Sequence, residues 1–346
     1  MHDNYPIIME KINILYACDL NYVMPLSVSL TSVFENNSAN HLNVYILHSP
    51  LPDEEKQILI NLAKSYNQNI YLIHVDEHYF EDAPIFTWAK TTYYRLLINE
   101  YIPKDLKKII YLDCDTITNK PLNGLYNLDF DGCHLIAAEE KQPAFMIRLG
   151  LNPKDSYFQT GVMLIDLEKF RELVYYEKVS EIISKLGKEM HLLDEAVLNI
   201  IFYKKIKPLE QKYNNYFVTN FKINKYNRLF NIVDKKMIDE THIFHFTNKP
   251  WNKLYTESCE KIWYKYLLLS PYKDLYRERY NTFKYRLLRT GILKSIVSKI
   301  TNQESQIDLL MKRYLPEKLR EELKKFYFKK IKNEISRVPV RASMKE

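Results

Sequence analysis

Over its first two hundred residues the chain alternates short apolar runs with amphipathic stretches. A mainly parallel sheet flanked by helices satisfies that rhythm, and an all-helical or all-β fold does not. Strands are predicted at Ile12–Cys18, Val44–Leu47, Ile70–Val75 and Lys108–Leu112, with later ones at Leu135–Ala138 and Val162–Ile165. Helical spacing fits Leu26–Phe34, Pro52–Tyr66, Trp88–Ile98, Leu173–Leu186 and Glu195–Tyr203. The run Ile109-Ile110-Tyr111-Leu112 is apolar enough for the centre of a sheet covered on both faces. Open α/β sheets bind ligands beyond the carboxyl ends of their strands. Asp19, after the first strand, and Asp113-Cys114-Asp115, after the fourth, are therefore the first places to look for chemistry.

Composition narrows the function. At 346 residues, 46% apolar and 27% charged, the chain can bury a real core in one large or two medium domains, which excludes a disordered reading. Its six glycines include no G-x-G pair, so neither a dinucleotide fingerprint nor a P-loop can be built. The four cysteines show no C-x-x-C spacing, which argues against a zinc ribbon and fits a reducing compartment. Residues 1–8 lack a basic start and a long apolar run, and nowhere do 18 apolar residues follow one another. The expectation is a cytoplasmic protein without signal or transmembrane helix.

Charge divides the chain. Residues 271–346 carry 20 of the 50 Lys and Arg and 9 of the 43 Asp and Glu, a net +11, and this leaves residues 1–270 at −4. The predicted organisation is a catalytic body over residues 1–270 and a basic, amphipathic helical region over 271–346. In the latter, Leu323-Lys324-Lys325-Phe326-Tyr327-Phe328-Lys329-Lys330 mixes bases with large apolar side chains. Such helices favour an anionic membrane surface, here the inner face, with a pair of solvated helices as the plainer reading. The acidic body offers no face for nucleic acid, so none is expected as a partner.

Residues i and i+2 of extended chain project to one side, so Asp113 and Asp115 can offer two carboxylates to one hard cation, magnesium or manganese. Two reaction classes use such a pair. A haloacid-dehalogenase-type phosphatase would make Asp113 a nucleophile, but it also needs a downstream Gly-Asp acidic pair that the chain lacks. A nucleotide-sugar glycosyltransferase would hold a metal on the donor diphosphate. A neutral imidazole can complete a carboxylate-rich site, and a lysine offsets phosphate charge. His245 in Ile243-Phe244-His245-Phe246 is open to either a ligand or a core role.

Six segments occur in order: Tyr16-Ala17-Cys18-Asp19-Leu20-Asn21, Thr91-Thr92-Tyr93-Tyr94-Arg95-Leu96, Leu112-Asp113-Cys114-Asp115-Thr116, Phe158-Gln159-Thr160-Gly161-Val162, Asp194-Glu195-Ala196-Val197-Leu198-Asn199 and His245-Phe246-Thr247-Asn248-Lys249-Pro250-Trp251. Over residues 11–255 this set resembles the family 8 retaining glycosyltransferases, which include glycogenin and bacterial lipooligosaccharide α-galactosyltransferases. The resemblance implies a GT-A fold, a Rossmann-like mainly parallel sheet, and a UDP-hexose donor, UDP-galactose or UDP-glucose. It implies that Asp19 and Asn21 bind uracil and ribose, that Arg95 contacts the donor, and that Asp113, Asp115 and His245 hold manganese (or magnesium). Lys249 then meets the diphosphate, Gln159 lies near the sugar and Asp194 binds sugar hydroxyls. Glu195 stands where the family commonly has Gln. A second carboxylate there could serve as nucleophile or could orient the sugar while the acceptor attacks from the leaving-group side. The implied acceptor is a glycan or lipid-linked oligosaccharide such as a lipopolysaccharide or lipooligosaccharide core. The competing non-catalytic reading is a membrane-associated UDP-sugar-binding protein.

Overall fold

The computed structural model describes residues 11–81, 83, 90–187, 193–216, 235–247, 249–251 and 260–275. All lie in the first of two units into which the chain divides, Met1–Tyr280. The second, Asn281–Glu346, with the predicted basic helices from residue 276 onward, lies outside the described residues.

Seven strands form one sheet: β1 (Lys11–Cys18), β2 (His41–His48), β3 (Asn69–His74), β4 (Lys108–Leu112), β6 (Leu135–Glu140), β7 (Tyr157–Asp166) and β8 (Ile206–Leu209). A small second sheet pairs β5 (Thr116–Thr118) with β9 (Ile243–His245). The order β3-β2-β1-β4-β7-β6-β8 is parallel across its first four strands, with β7 antiparallel to both neighbours. The chain winds outward from β1 to β3 and returns to place β4 on the other side of β1. The carboxyl ends of β1 and β4 therefore flank a topological switch point, where a ligand crevice opens.

Alternation decides which side chains serve which layer. Ile12, Ile14 and Tyr16 of β1 enter one core with Leu26, Leu30 and Val33 of the helix Val23–Asn36, while Leu15 and Tyr111 enter the core on the opposite face. Each fully buried aliphatic side chain contributes about 1.5–3 kcal/mol, which is why the apolar runs predicted these strands. The helix Val23–Asn36 is buried nearly all round. Its buried hydroxyls bond back to the helix, as in Ser27 Oγ to the Val23 carbonyl at 2.9 Å, or outward, as where Ser32 Oγ accepts from Thr118 N–H at 2.9 Å. On its far side Asn36 donates to the Tyr266 hydroxyl of the helix Glu260–Leu269 at 2.8 Å. Tyr272 donates to Glu55 of the helix Asp53–Ser65 at 2.5 Å.

Three elements depart from prediction. The expected helix Trp88–Ile98 is a 3-10 helix over Lys90–Leu96 with a short α-turn at Ile98–Tyr101, and residues 84–89 lie outside the described residues. The expected helix Leu173–Leu186 is two, Leu167–Leu173 and Tyr176–Leu186. Strand β7 begins at Tyr157, five residues before its predicted start, because Gly161 interrupts the apolar pattern without ending the strand. Among the described residues no helix is long and apolar enough to cross a membrane.

Candidate active site

The site is built on an irregularity in β7. Its pairing with β6 jumps from Ala137↔Met163 to Ala138↔Gln159, leaving Thr160, Gly161 and Val162 without partners on that side. Such a bulge frees backbone groups that a regular ladder would consume. Thr160 N–H donates to Glu195 Oε2 at 3.0 Å, and its carbonyl accepts from Arg95 Nη1 at 3.0 Å. Gly161 N–H donates to Gln159 Oε1 at 3.1 Å, and its carbonyl accepts from Asp113 N–H at 2.8 Å.

Around this scaffold three ligand-type side chains converge. Asp113, Asp115 and His245 place one donor atom each within 4.8 Å of one another, so together they could hold a metal ion. Two carboxylates and one imidazole suit a hard or borderline divalent cation. His245 arrives through the small sheet, where it sits opposite Thr116 and where Phe246 N–H donates to the Asp115 carbonyl at 2.9 Å. Its Nδ1 contacts Asn214 Oδ1 at 2.9 Å, and its Nε2 lies 3.3 Å from Asp115 Oδ1 and 3.7 Å from Asp113 Oδ2. A Cβ on Gly161 would stand 2.4 Å from His245 Cε1, 2.5 Å from Asp113 Oδ2 and 2.8 Å from Gln159 Nε2. Only glycine leaves this cradle open, and the donor set therefore fits a bound cation.

Arg95 braces the cluster. The residue is 5% exposed and its guanidinium lies 4.4 Å above the Tyr111 ring; it reaches Asp113 Oδ1 at 2.8 Å through Nη2 and Asp194 Oδ2 at 3.2 Å through Nε. The residue expected against the donor thus acts first on the carboxylates that line the cleft. Lys249 pairs with Asp115 and lies 5.9 Å over the Trp251 ring, which in turn meets Tyr22 edge-on. Burial alone would raise the Asp115 carboxyl, but Lys249 and His245 outweigh it and hold the group far below the usual carboxylate range. His245 is raised, because Asp115 and Asp113 outweigh the burial that disfavours its charge.

Asp194 and Glu195 open the helix Leu193–Ile201, whose first turn favours acids. Burial raises the Asp194 carboxyl against the pull of Arg95. Burial likewise pushes Glu195 up to about 8, opposed by the Thr160 N–H bond and reinforced by the neighbouring Asp194 charge. Asp19 caps the turn after β1, accepting from Tyr22 N–H at 3.1 Å, and is half-buried and raised by desolvation. Asn21 is exposed beside it.

The fold therefore brings Asp113, Asp115, His245, Lys249, Gln159, Arg95, Asp194 and Glu195 to one crevice, with Asp19 and Asn21 at the end of β1. The model of glycosyl transferase family 8 matches residues 13–255, which span all of them. The chain belongs to glycosyl transferase family 8. It is 27% identical over 275 residues to an Escherichia coli lipopolysaccharide 1,2-glucosyltransferase, covering 77% of this chain and 80% of that one. It is 32% identical over 212 residues to a Haemophilus influenzae protein described no further than as a glycosyltransferase, covering 59% of this chain and 63% of that one. The crystal structure of the galactosyltransferase LgtC with donor and acceptor sugar analogues superposes with a TM-score of 0.65 at 23% identity, over 75% of this chain and 96% of that one, which establishes the GT-A fold. As a family 8 member the chain is a glycosyltransferase, and the dehalogenase-type phosphatase and the non-catalytic binding protein find no support.

Sequence reading missed Asn214, Thr160 and Gly161 as parts of the site. Asn214 carries no motif, and its role exists only because the turn Gln211–Tyr213 delivers it between β7 and β9. Gly161 had a signal, a glycine inside an apolar strand, which marks a bulge or a close approach.

Proposed function

We propose that this protein is a divalent-metal-dependent retaining hexosyltransferase. In this reading it moves glucose or galactose from UDP to a hydroxyl of a lipopolysaccharide- or lipooligosaccharide-type core. The observation that carries it is the convergence of Asp113, Asp115 and His245 at the switch point, with Gly161 leaving room for an ion between them. The relatives named for lipopolysaccharide glucosyl transfer, and a Salmonella typhimurium lipopolysaccharide 1,3-galactosyltransferase 26% identical over 256 residues, 70% of this chain and 74% of that one, support the donor and acceptor classes.

Manganese or magnesium bound by these three residues would offset the charge that develops on the departing diphosphate. Lys249, beside Asp115, adds a second positive charge for the same phosphates. Asp19 and Asn21 take the nucleoside, and Asp194 and Gln159 face the sugar. Glu195 is a neutral acid below about pH 8 and already accepts from Thr160 N–H, which makes it a poor nucleophile. This favours the alternative in which the acceptor hydroxyl attacks on the leaving-group face. There the bond from the anomeric carbon to the phosphate oxygen breaks, the bond to the acceptor oxygen forms, and the acceptor's proton passes to the departing phosphate.

The test is UDP release from a panel of UDP-sugars with manganese, with and without chelator, for the native chain and Asp113→Asn. Release from one donor that is abolished by chelator and by the substitution supports the reading and names the sugar. Release that ignores both removes it. The basic region 271–346 suits the inner face of a membrane. Replacing Lys324, Lys325, Lys329, Lys330 and Lys332 with Gln should detach the protein from anionic vesicles, at about 1 kcal/mol per lysine, while leaving UDP-sugar hydrolysis intact. Unchanged vesicle binding would remove this part of the proposal.

A further inference from the structure

The hydrogen bonds beneath the metal-type cluster form a chain whose polarity is fixed at one end by the backbone. A peptide N–H can only donate, so the Gln159 atom that meets Gly161 N–H at 3.1 Å is its carbonyl oxygen. That same oxygen takes the second approach, from Asn214, so Asn214 presents its NH2 there. The opposite end of the Asn214 amide is then its oxygen, and it meets His245 Nδ1 at 2.9 Å. An amide oxygen can only accept, so Nδ1 carries the proton and Nε2 is the atom left toward Asp115 and Asp113. At the other end, Gln159 has its oxygen doubly engaged and turns its NH2 toward Asp113 Oδ2 and His245 Cε1, all three converging on the space beside Gly161. Asn214 is fully buried, without exposed surface, so water does not compete for these bonds.

We propose that Asn214 is a positioning residue that couples the two sides of the cleft. One amide sets His245 as the Nδ1–H tautomer with Nε2 available to a cation, and the same amide keeps the NH2 of Gln159 aimed into the donor site. The proposal rests on the reading of His245 as a ligand and of Gln159 as facing the donor. The orientation of each depends on the other through this single side chain, so a substitution that preserves one half while reversing the other separates them.

Asn214→Asp does so. A carboxylate at 214 still accepts from Nδ1–H, but it cannot donate to Gln159, whose oxygen either faces a second oxygen or turns away and gives up the Gly161 N–H bond, so the NH2 of Gln159 is no longer held toward the cleft. Asn214→Ala removes both halves. Three readouts on the full chain decide. In metal-free protein labelled with 15N-histidine, above the pH at which His245 deprotonates, the native chain should show one Nδ1–H tautomer, retained in the Asp variant and mixed in the Ala variant. Titration with manganese alone should show affinity kept within about threefold by Asp and weakened about 10- to 100-fold by Ala. In UDP release with manganese saturating, the Asp variant should lose about tenfold or more in kcat, the worth of one misdirected hydrogen bond. A structural role alone predicts the same loss in every readout and no such split. An Asp variant with native kcat, or an Ala variant that keeps the single tautomer, overturns the proposal. If the Ala variant does not fold, the Asp variant carries the split between metal affinity and kcat. If the native chain binds no manganese, the metal reading of the site fails, and the tautomer comparison still decides the role of Asn214.

Discussion

The crevice holds two acidic pairs of nearly the same composition, and one carboxyl of each, Asp115 and Glu195, is pushed in opposite directions. Asp113 and Asp115 flank one residue at the end of a central strand and are met by Arg95, His245 and Lys249. Asp194 and Glu195 adjoin each other in the first turn of a helix, are both buried, and among the described residues are met by one cation, Arg95, on the Asp194 side. Counter-charges outweigh desolvation at Asp115 and hold it ionised. Desolvation wins at Glu195, helped by the Asp194 charge beside it, and leaves it neutral below about pH 8. A carboxylate therefore does not announce its task by its presence. The number of cations built around it decides whether it holds a positive ion or acts as a neutral hydrogen-bonding group.

The contrast breaks most visibly at the first pair. Asp115→Asn should lower metal-dependent UDP release by about a thousandfold or more, since it removes several kcal/mol of charge stabilisation, and a calorimetric titration should show manganese binding lost. If the substitution leaves manganese affinity unchanged, the pair is not a cation site. Next comes Gly161→Ala. Its Cβ meets His245, Asp113 and Gln159 together, so manganese affinity should fall about a hundredfold and the fold should lose about 1–3 kcal/mol to overpacking, read by denaturant melts. Lys249→Met should weaken UDP binding about tenfold but leave manganese binding equal or tighter, because Asp115 loses its competing partner.

The smallest effect sharpens the second pair. Glu195→Gln should keep kcat near neutral pH within about threefold, and a loss of a hundredfold would return Glu195 to the nucleophile role. Stability gives an independent reading. The folded carboxyl sits near 8 against an ordinary 4.5, so between these values the native state binds the extra proton. Native stability attributable to this group therefore falls as pH rises through the window, by up to about 1.4 kcal/mol per pH unit. The Gln variant should show a flatter dependence of Tm on pH and should be the more stable protein at pH 8. Equal slopes would mean that Glu195 is ionised in the native protein at neutral pH.

The parts of the fold that were legible in sequence are those held by apolar burial. Strands β1 to β4 were predicted because every second residue, or every residue, had to leave water. Strand β8, Ile206-Lys207-Pro208-Leu209, was not, because it is a polar edge strand in which Pro208 lacks the N–H that marks an interior position. The three-residue strands β5 and β9 are too short to carry a period. In the site, Asp113, Asp115 and His245 were legible through spacing and resemblance, whereas the pairing of Arg95 with Asp113 and Asp194 was not, since it depends on three segments meeting in space. Asn214 had no signature at all, since its importance lies in which atom of its amide faces which neighbour.

The small sheet of β5 and β9 also sets a schedule. Thr116 pairs with His245 across 128 intervening positions, so the last side chain of the proposed cation site is delivered by a segment made long after the main sheet has its central strands. A nascent chain halted before residue 243 can already zip β1, β2, β3, β4 and β7 together, yet it would have an acidic crevice with no imidazole to close it. Long-range closures of this kind come late in assembly, because distant segments must meet before any contact offsets the lost chain entropy. The barrel of the lock is cut early on the ribosome, and the pin that makes it turn is fitted at the end.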